Sequence, residues 1–273
     1  LKAQVSFGPR PPETDAHLKC RDHLLAELKK TTDDATLVPF VHRWSVSGKP
    51  VRMWNVQGSQ NWDTAETRVV LMAHWDTRPT ADMEWDEADR AKPIPGANDG
   101  ASGVAVLLEL ARTFRDNPVP GVGFQYVLVD GEDLGPGLDE MFLGARKYAV
   151  TLPAKRPHYG ILLDMVGDAD LVVPKEPYSQ GWAPKLMKEL YAHAAKIGLE
   201  KTFPSRRGTE IIDDHHPINE AGLPMIDLID FSYPYWHTLA DDVDKCSPES
   251  LGKVGKLLES WFRANPTFRN AKG

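Results

Sequence analysis

The chain has 273 residues, 41% of them hydrophobic, and a formal charge of −7. That length supports a sizeable core in one unit. No segment approaches the about 18 uninterrupted apolar residues of a membrane span, and dispersed basic residues under a negative balance disfavour nucleic acid and anionic membranes as partners. Cys20 and Cys246 are the two cysteines. Neither has metal-ligand spacing, which excludes a thiolate zinc site and leaves open one disulfide or two thiols. Leu1 is not preceded by a methionine or a charged-then-apolar leader, so we expect residues before it, with a secretion signal as one candidate.

In chain order, Thr14-Asp15 caps a helix carrying Leu18, Leu24, Leu25 and Leu28. Val51–Gln57 is more polar and reads as an edge hairpin. Val69–Ala73 is an apolar run that stops at His74-Trp75-Asp76. The Pro-rich stretch 79–96 and a second one at 202–210 are long loops, which in compact domains are often functional. Gly96–Gly103 is a Gly-rich turn, and Asp99 begins a helix with Val104, Leu107, Leu108, Ala111 and Phe114 at helical spacing. Tyr126–Val129 runs into Asp130-Gly131-Glu132-Asp133, and Ile161–Leu163 runs into Asp164. A third helix carries Trp182, Leu186, Met187, Leu190 and Ile197 and ends at Gly198. Pro224–Ile229 leads towards Trp236-His237. Ser247-Pro248-Glu249 opens a last helix with Leu251, Val254, Leu257, Leu258, Trp261 and Phe262.

Short apolar runs of this kind are strands of a covered sheet. Their alternation with helices predicts an α/β fold, a three-layer α/β/α sandwich around a mixed, mostly parallel sheet of about six strands. No repeat or Gly/Ser-rich linker divides the chain, so residues 1–273 read as one domain.

Acids and histidines stand where the apolar runs stop. In open α/β sheets ligands bind outside the carboxyl ends of the strands, so these groups converge on one cleft. Carboxylates and imidazoles without a thiolate suit a hard-to-borderline metal, zinc first. Asp99 reads either as the N-cap of its helix or as a ligand held by the Gly-rich turn; no Lys stands where a phosphate loop needs one. The adjacent acids Glu132 and Asp133 repel unless something positive compensates. A metal on Asp133, with Glu132 free as acid/base, gives both a purpose. Asp164 ends a very apolar stretch, which is costly unless the acid is paired or metal-bound. His216, in Asp213-Asp214-His215-His216, reads as a surface residue. His237 lies among Phe231, Tyr233, Tyr235 and Trp236, and becomes a credible ligand only as part of the strand-end set.

HWD at 74–76, GANDGASG at 96–103, DGED at 130–133, LLD at 162–164, DDHHP at 213–217 and WHT at 236–238 together resemble the zinc aminopeptidase superfamily, from about Phe7 to Phe262. Within it the chain resembles the animal-type glutaminyl cyclases and their bacterial relatives. These convert an N-terminal glutamine to pyroglutamate, release ammonia and use one zinc. Phe7-Gly8-Pro9-Arg10 is also similar to their N-terminal region. The resemblance implies one zinc on Asp99, Asp133 and His237. It makes Glu132 a proton shuttle with Asp164 and Asp213 as hydrogen-bonded partners, and Trp236, Trp75 and Leu138 substrate-binding residues. It further implies N-terminal Gln peptides and proteins as substrates and an extracytoplasmic location. The alternative it leaves is an aminopeptidase with one or two metals, because the second-metal positions of such enzymes are filled here by His74 and Asp164. Asp213, where peptidases usually have Ser, and Trp236 before His237 tilt towards the cyclases. Asp133 stands where animal cyclases carry Glu and resembles the bacterial members.

Overall fold

The computed structural model describes residues 1–269. Six strands form one sheet: β1 (Asp34–Arg43), β2 (Pro50–Gln60), β3 (Thr67–His74), β4 (Val122–Val129), β5 (Tyr159–Asp164) and β6 (Met225–Ile229). Their order is β1-β2-β4-β3-β5-β6. The β1/β2 and β2/β4 pairs are antiparallel, and β4, β3, β5 and β6 run parallel. The helices are α1 (Lys2–Val5), α2 (Asp15–Thr31), α3 (Ala101–Asp116), α4 (Leu143–Ala149), α5 (Pro177–Trp182), α6 (Pro184–Lys196), α7 (His215–Glu220) and α8 (Pro248–Ala264).

Successive side chains of a strand point to opposite faces, and each face of this sheet is covered. Val69, Leu71 and Ala73 of β3 join Phe124, Tyr126 and Ile161 against Leu24 and Leu28 of α2, Leu107 and Leu110 of α3, Leu186 of α6 and Leu257 of α8. Val70 and Met72 join Val127, Val129 and Leu162 against Ala145 and Tyr148 of α4 and Ile218 of α7. That is why these strands are apolar throughout rather than alternating. The expected three-layer sandwich is what forms.

Several helix starts follow their local chemistry. The Thr14 hydroxyl accepts the His17 N–H at 3.2 Å, and the Ser247 hydroxyl accepts those of Glu249 and Ser250, with Pro248 at the first helical position. Val51–Gln57 lies in β2, the inner strand of an antiparallel hairpin at the sheet edge; β1 is the outer strand, and β2 meets β4 only from Val56 on. Other expectations are corrected. The third helix is two, α5 and α6, because Pro184 disfavours a helical Ala183 and restarts the helix. Trp182 thus ends α5 instead of packing in α6; Gly198, at φ +78°, closes α6 as expected. Asp99 does not cap α3. The N-cap is Gly100 at φ 100°, where a Cβ would meet the Asp76 carbonyl oxygen at 2.6 Å. Cys20 is buried in the core, Cys246 is half-buried, and both are free thiols.

Candidate active site

The carboxyl ends of β3, β4 and β5 and the segment after β6 deliver the acids and histidines to one place, the position where open α/β sheets bind ligands. Turns and buried anchors hold each piece. Arg10, fully buried, donates to the carbonyls of Trp75, Pro95 and Gly96 at 2.9, 3.0 and 2.6 Å. It thereby ties the N-terminal segment to the ends of β3 and of the Gly-rich turn. The Asp76 carboxylate accepts the N–H groups of Glu132 and Asp133, each at 3.2 Å. It shapes the turn after β4 rather than facing the cleft. Asp241 does the same for the Gly-rich turn, accepting the N–H groups of Asn98 and Asp99 at 2.8 and 3.1 Å.

Asp99, Asp133 and His237 each bring a ligand atom within 4.8 Å of the others. His237 Nε2 lies 3.4 Å from Asp133 Oδ1 and 3.7 Å from Asp99 Oδ2. The Asp99 and Asp133 Oδ2 atoms are buried without a hydrogen-bond partner, which is costly unless a cation takes them. Burial by itself lowers the His237 pKa, but Asp133, Asp82 and Asp99 outweigh it and bring it up to about 9. The point therefore draws positive charge. Two carboxylates and an imidazole with a free coordination position fit zinc. His237 and Met165, which both line the cavity, hold left-handed backbones at φ 55° and 47°, a conformation that persists where surroundings over-determine it.

His74 stands between two acids: its Nε2 is 3.1 Å from Asp99 Oδ1 and 3.1 Å from Asp164 Oδ1. Burial opposes its protonation, yet Asp164, Asp76 and Asp99 raise its pKa well above the usual imidazole range. Those acids favour the protonated imidazole; His74, Asp99 and Glu132 also meet the geometry of a metal site.

Glu132 is buried, and burial followed by the Asp133 charge pushes its pKa well above the carboxylate range, with Asp213 and Asp214 adding to the rise. Asp213 is pushed up to about 8 by burial and by the Asp164 charge. Direct hydrogen bonds to Glu132 are not how the two partner acids act. The bond that reaches Asp164 comes from His74, and the one that reaches Asp213 comes from the Asp214 N–H. An ionised Asp213 raises the Glu132 pKa, so the two carboxyls disfavour carrying charge together.

These acids face a cavity of about 60 Å³ whose other wall is apolar: Met141, Ile211, Ile229, Phe231 and Trp236. The Trp236 ring stacks on His237 at 3.9 Å and lies 5.0 Å from Phe231. Trp236 therefore lines this cavity. Trp75 does not. It is fully buried on the opposite side of β3, stacked on His17 at 4.4 Å, with its Nε1 donating to the Trp54 carbonyl. Alternation signals this: Trp75 falls in phase with Val69, Leu71 and Ala73, and His74 does not. Leu138 is 52% exposed in the 3₁₀ turn Leu138–Glu140; Met141, just after that turn, lines the cavity instead. Arg78 and Asp82, in the long loop after β3, went unnoticed in the sequence. So did a buried group beneath the site, where Asp213, His215 and Asp227 converge and His215 Nε2 lies 3.4 Å from Glu176.

The sequence profile of peptidase family M28 matches residues 55–262. The chain belongs to that family. Among solved M28-like structures, a Bacteroides thetaiotaomicron glutaminyl cyclase bound to N-acetylhistamine is 36% identical, with a TM-score of 0.89 over 94% of this chain and 92% of that one. A Zn-dependent exopeptidase from Parabacteroides distasonis is 32% identical, with a TM-score of 0.91 over 96% and 94%. The bovine glutaminyl-peptide cyclotransferase is 28% identical over 233 residues, 72% of this chain; the match spans 62% of the bovine protein.

Proposed function

We infer that this M28 protein is a zinc-dependent glutaminyl-peptide cyclotransferase, converting N-terminal glutamine to pyroglutamate with release of ammonia. The observation that carries the reading is a second buried carboxyl, Asp213, lining the same cavity as Glu132, the ligand trio and Trp236. Hydrolysis and cyclisation both move a proton from the attacking atom to the leaving nitrogen, work that one acid/base carboxyl can do; the second carboxyl, Asp213, is the departure from the peptidase pattern that favours cyclisation. The likeness to bacterial glutaminyl cyclases over nearly the whole chain supports the same reading.

Asp99, Asp133 and His237 would hold one zinc, which supplies polarisation of the γ-carboxamide oxygen. Trp236 and the apolar wall seat the glutamine side chain and exclude water. The substrate α-nitrogen bonds to the γ-carbon in a five-membered ring closure, favoured because both ends are held together. Glu132 takes a proton from that nitrogen and passes it to the departing amide nitrogen, so the carbon–nitrogen bond breaks and ammonia leaves. Asp213 keeps a proton beside Glu132 during this exchange.

The second reading is an aminopeptidase, favoured by the Parabacteroides exopeptidase likeness and by the alternative metal geometry of His74, Asp99 and Glu132. The test measures zinc content after dialysis together with ammonia release from Gln-peptides and hydrolysis of aminoacyl amides. One zinc with ammonia release is expected; two zincs with amide hydrolysis would move the assignment to peptidase. We also propose that the chain is one catalytic unit acting outside the cytoplasm, where exported N-termini are exposed. No described helix is long and apolar enough to cross a membrane. Cell fractionation tests the location.

A further inference from the structure

The loop after β3 carries two charged residues that reach the candidate ligands from behind. Asp82 divides its carboxylate. Oδ1 lies 2.9 Å from His237 Nδ1, and Oδ2 accepts from Arg78 Nε and Nη2 at 2.9 and 2.8 Å. Arg78 Nη1 then donates to Asp133 Oδ1 at 2.6 Å. The result is a closed chain of charge-assisted hydrogen bonds, His237–Asp82–Arg78–Asp133, joining two residues of the trio through groups outside it.

The chain is held in place independently of any metal. The Met83 N–H donates to the His237 carbonyl at 3.2 Å, and the Glu84 carboxylate accepts the Leu239 N–H at 2.7 Å, so the loop is stapled at His237 and just after it. The Arg78 guanidinium packs against Gly135, where a Cβ would come within 3.0 Å of Nη1. Arg78 is only 5% exposed, so its orientation is set by these contacts.

With Nδ1 of His237 engaged by Asp82, Nε2 is the nitrogen turned to Asp99 and Asp133. The Asp133 oxygen nearest Nε2, Oδ1 at 3.4 Å, is the one that accepts from Arg78, and Oδ2 has no hydrogen-bond partner. We propose that Arg78 and Asp82 are positioning residues that present zinc with His237 through Nε2 and Asp133 through a single oxygen, keeping the fourth coordination position open for substrate. The proposal rests on the zinc reading above. A guanidinium bond on one Asp133 oxygen takes one of its lone pairs and weakens it as a metal donor, which favours binding through a single oxygen and a low coordination number. The planar fork of Arg suits spanning two carboxylates, whereas Lys would supply charge without the fork.

The test compares wild type with Asp82→Asn, Arg78→Met and Arg78→Lys. It uses zinc competition against a chromophoric chelator, the visible spectrum of the cobalt-substituted protein, and thermal melting of the metal-free protein. Loss of such an outer partner typically weakens metal binding about 10–100-fold. We expect that loss in Asp82→Asn and Arg78→Met, partial recovery in Arg78→Lys, and weaker cobalt bands in the Arg78 variants as Asp133 becomes free to bind through both oxygens. Metal-free melting of Asp82→Asn should stay close to wild type, which separates ligand positioning from a structural role. Wild-type zinc affinity and cobalt spectrum in all three variants would overturn the bridge while leaving the zinc site standing. So would affinity losses that only follow losses in metal-free stability. A wild-type protein that binds no zinc would remove both readings.

Discussion

Two aspartates three residues apart after β4 have opposite fates. Asp130 and Asp133 are both fully buried acids in the same turn. Asp130 turns towards α2, where His17 Nε2 lies 3.0 and 2.9 Å from its two oxygens and the Trp54 N–H adds a third bond at 2.8 Å. Every acceptor it needs to satisfy is used, and the pair ties α2 to the sheet. Asp133 turns the other way, shares one oxygen with Arg78 and leaves the other unpartnered, as does Asp99. The same side chain at similar burial is structural where its bonding is complete and a candidate ligand where it is not. Unfilled valence, rather than burial or charge, separates the two.

Chemistry on the Asp133 side should fail first and most. Glu132→Gln keeps shape but cannot take a proton. Ammonia release from a Gln-peptide should fall about 10²–10⁴-fold while metal analysis still finds zinc. Loss of zinc in that variant would make Glu132 a ligand and undo the contrast.

Asp213→Ser is expected to lower turnover by about 10²-fold with zinc content and folding intact. The N-cap of α7 is Asp214, and the Asp213 carboxylate accepts the Asp214 N–H just before it, so near-normal cyclisation would leave Asp213 with only that structural bond and remove the main argument against a peptidase.

On the other side, Asp130→Ala should act through stability alone. Breaking a buried pair costs about 3–5 kcal/mol, readable as a lower urea midpoint, while zinc affinity and the rate per folded molecule hold. Weakened zinc binding at full folding would show that the two aspartates are not separable.

A further effect concerns pH. The pKa of Asp213 is raised to about 8 by burial and the Asp164 charge, against about 3.9 in an unfolded chain. The folded protein therefore holds a proton that the unfolded chain releases. The stability this contributes is full below about pH 4 and is lost as pH rises through about 8. Urea midpoints of metal-free protein between pH 5 and 9 should fall less steeply in Asp213→Asn than in wild type. Equal slopes would mean that Asp213 is ionised throughout.

Much of this was legible locally. The buried strands β3, β4, β5 and β6 showed as apolar runs because helices cover both faces of the sheet. The starts of α2 and α8 showed because Thr14 and Ser247 cap them through bonds no longer than one turn. The acids at strand ends pointed to the cleft because a parallel sheet places those ends together. The ligand trio and Glu132 came from motif resemblance, and the unpartnered oxygens of Asp99 and Asp133 give that assignment a physical reason.

What the sequence by itself determined, then, was what short-range chemistry encodes: strand burial, helix caps, and which residue types stand at which strand ends. Direction and partnership came only with the tertiary structure. It turned Trp75 into the core against His17 and left Leu138 outside the cavity. It inserted His74 between Asp99 and Asp164, and it brought Arg78 and Asp82 from a long loop behind His237 and Asp133. Asp82 and His237 lie 155 positions apart in the chain. A hydrogen bond across that separation depends on where the sheet and its loops bring the two groups, and residue type alone carries no record of the partner.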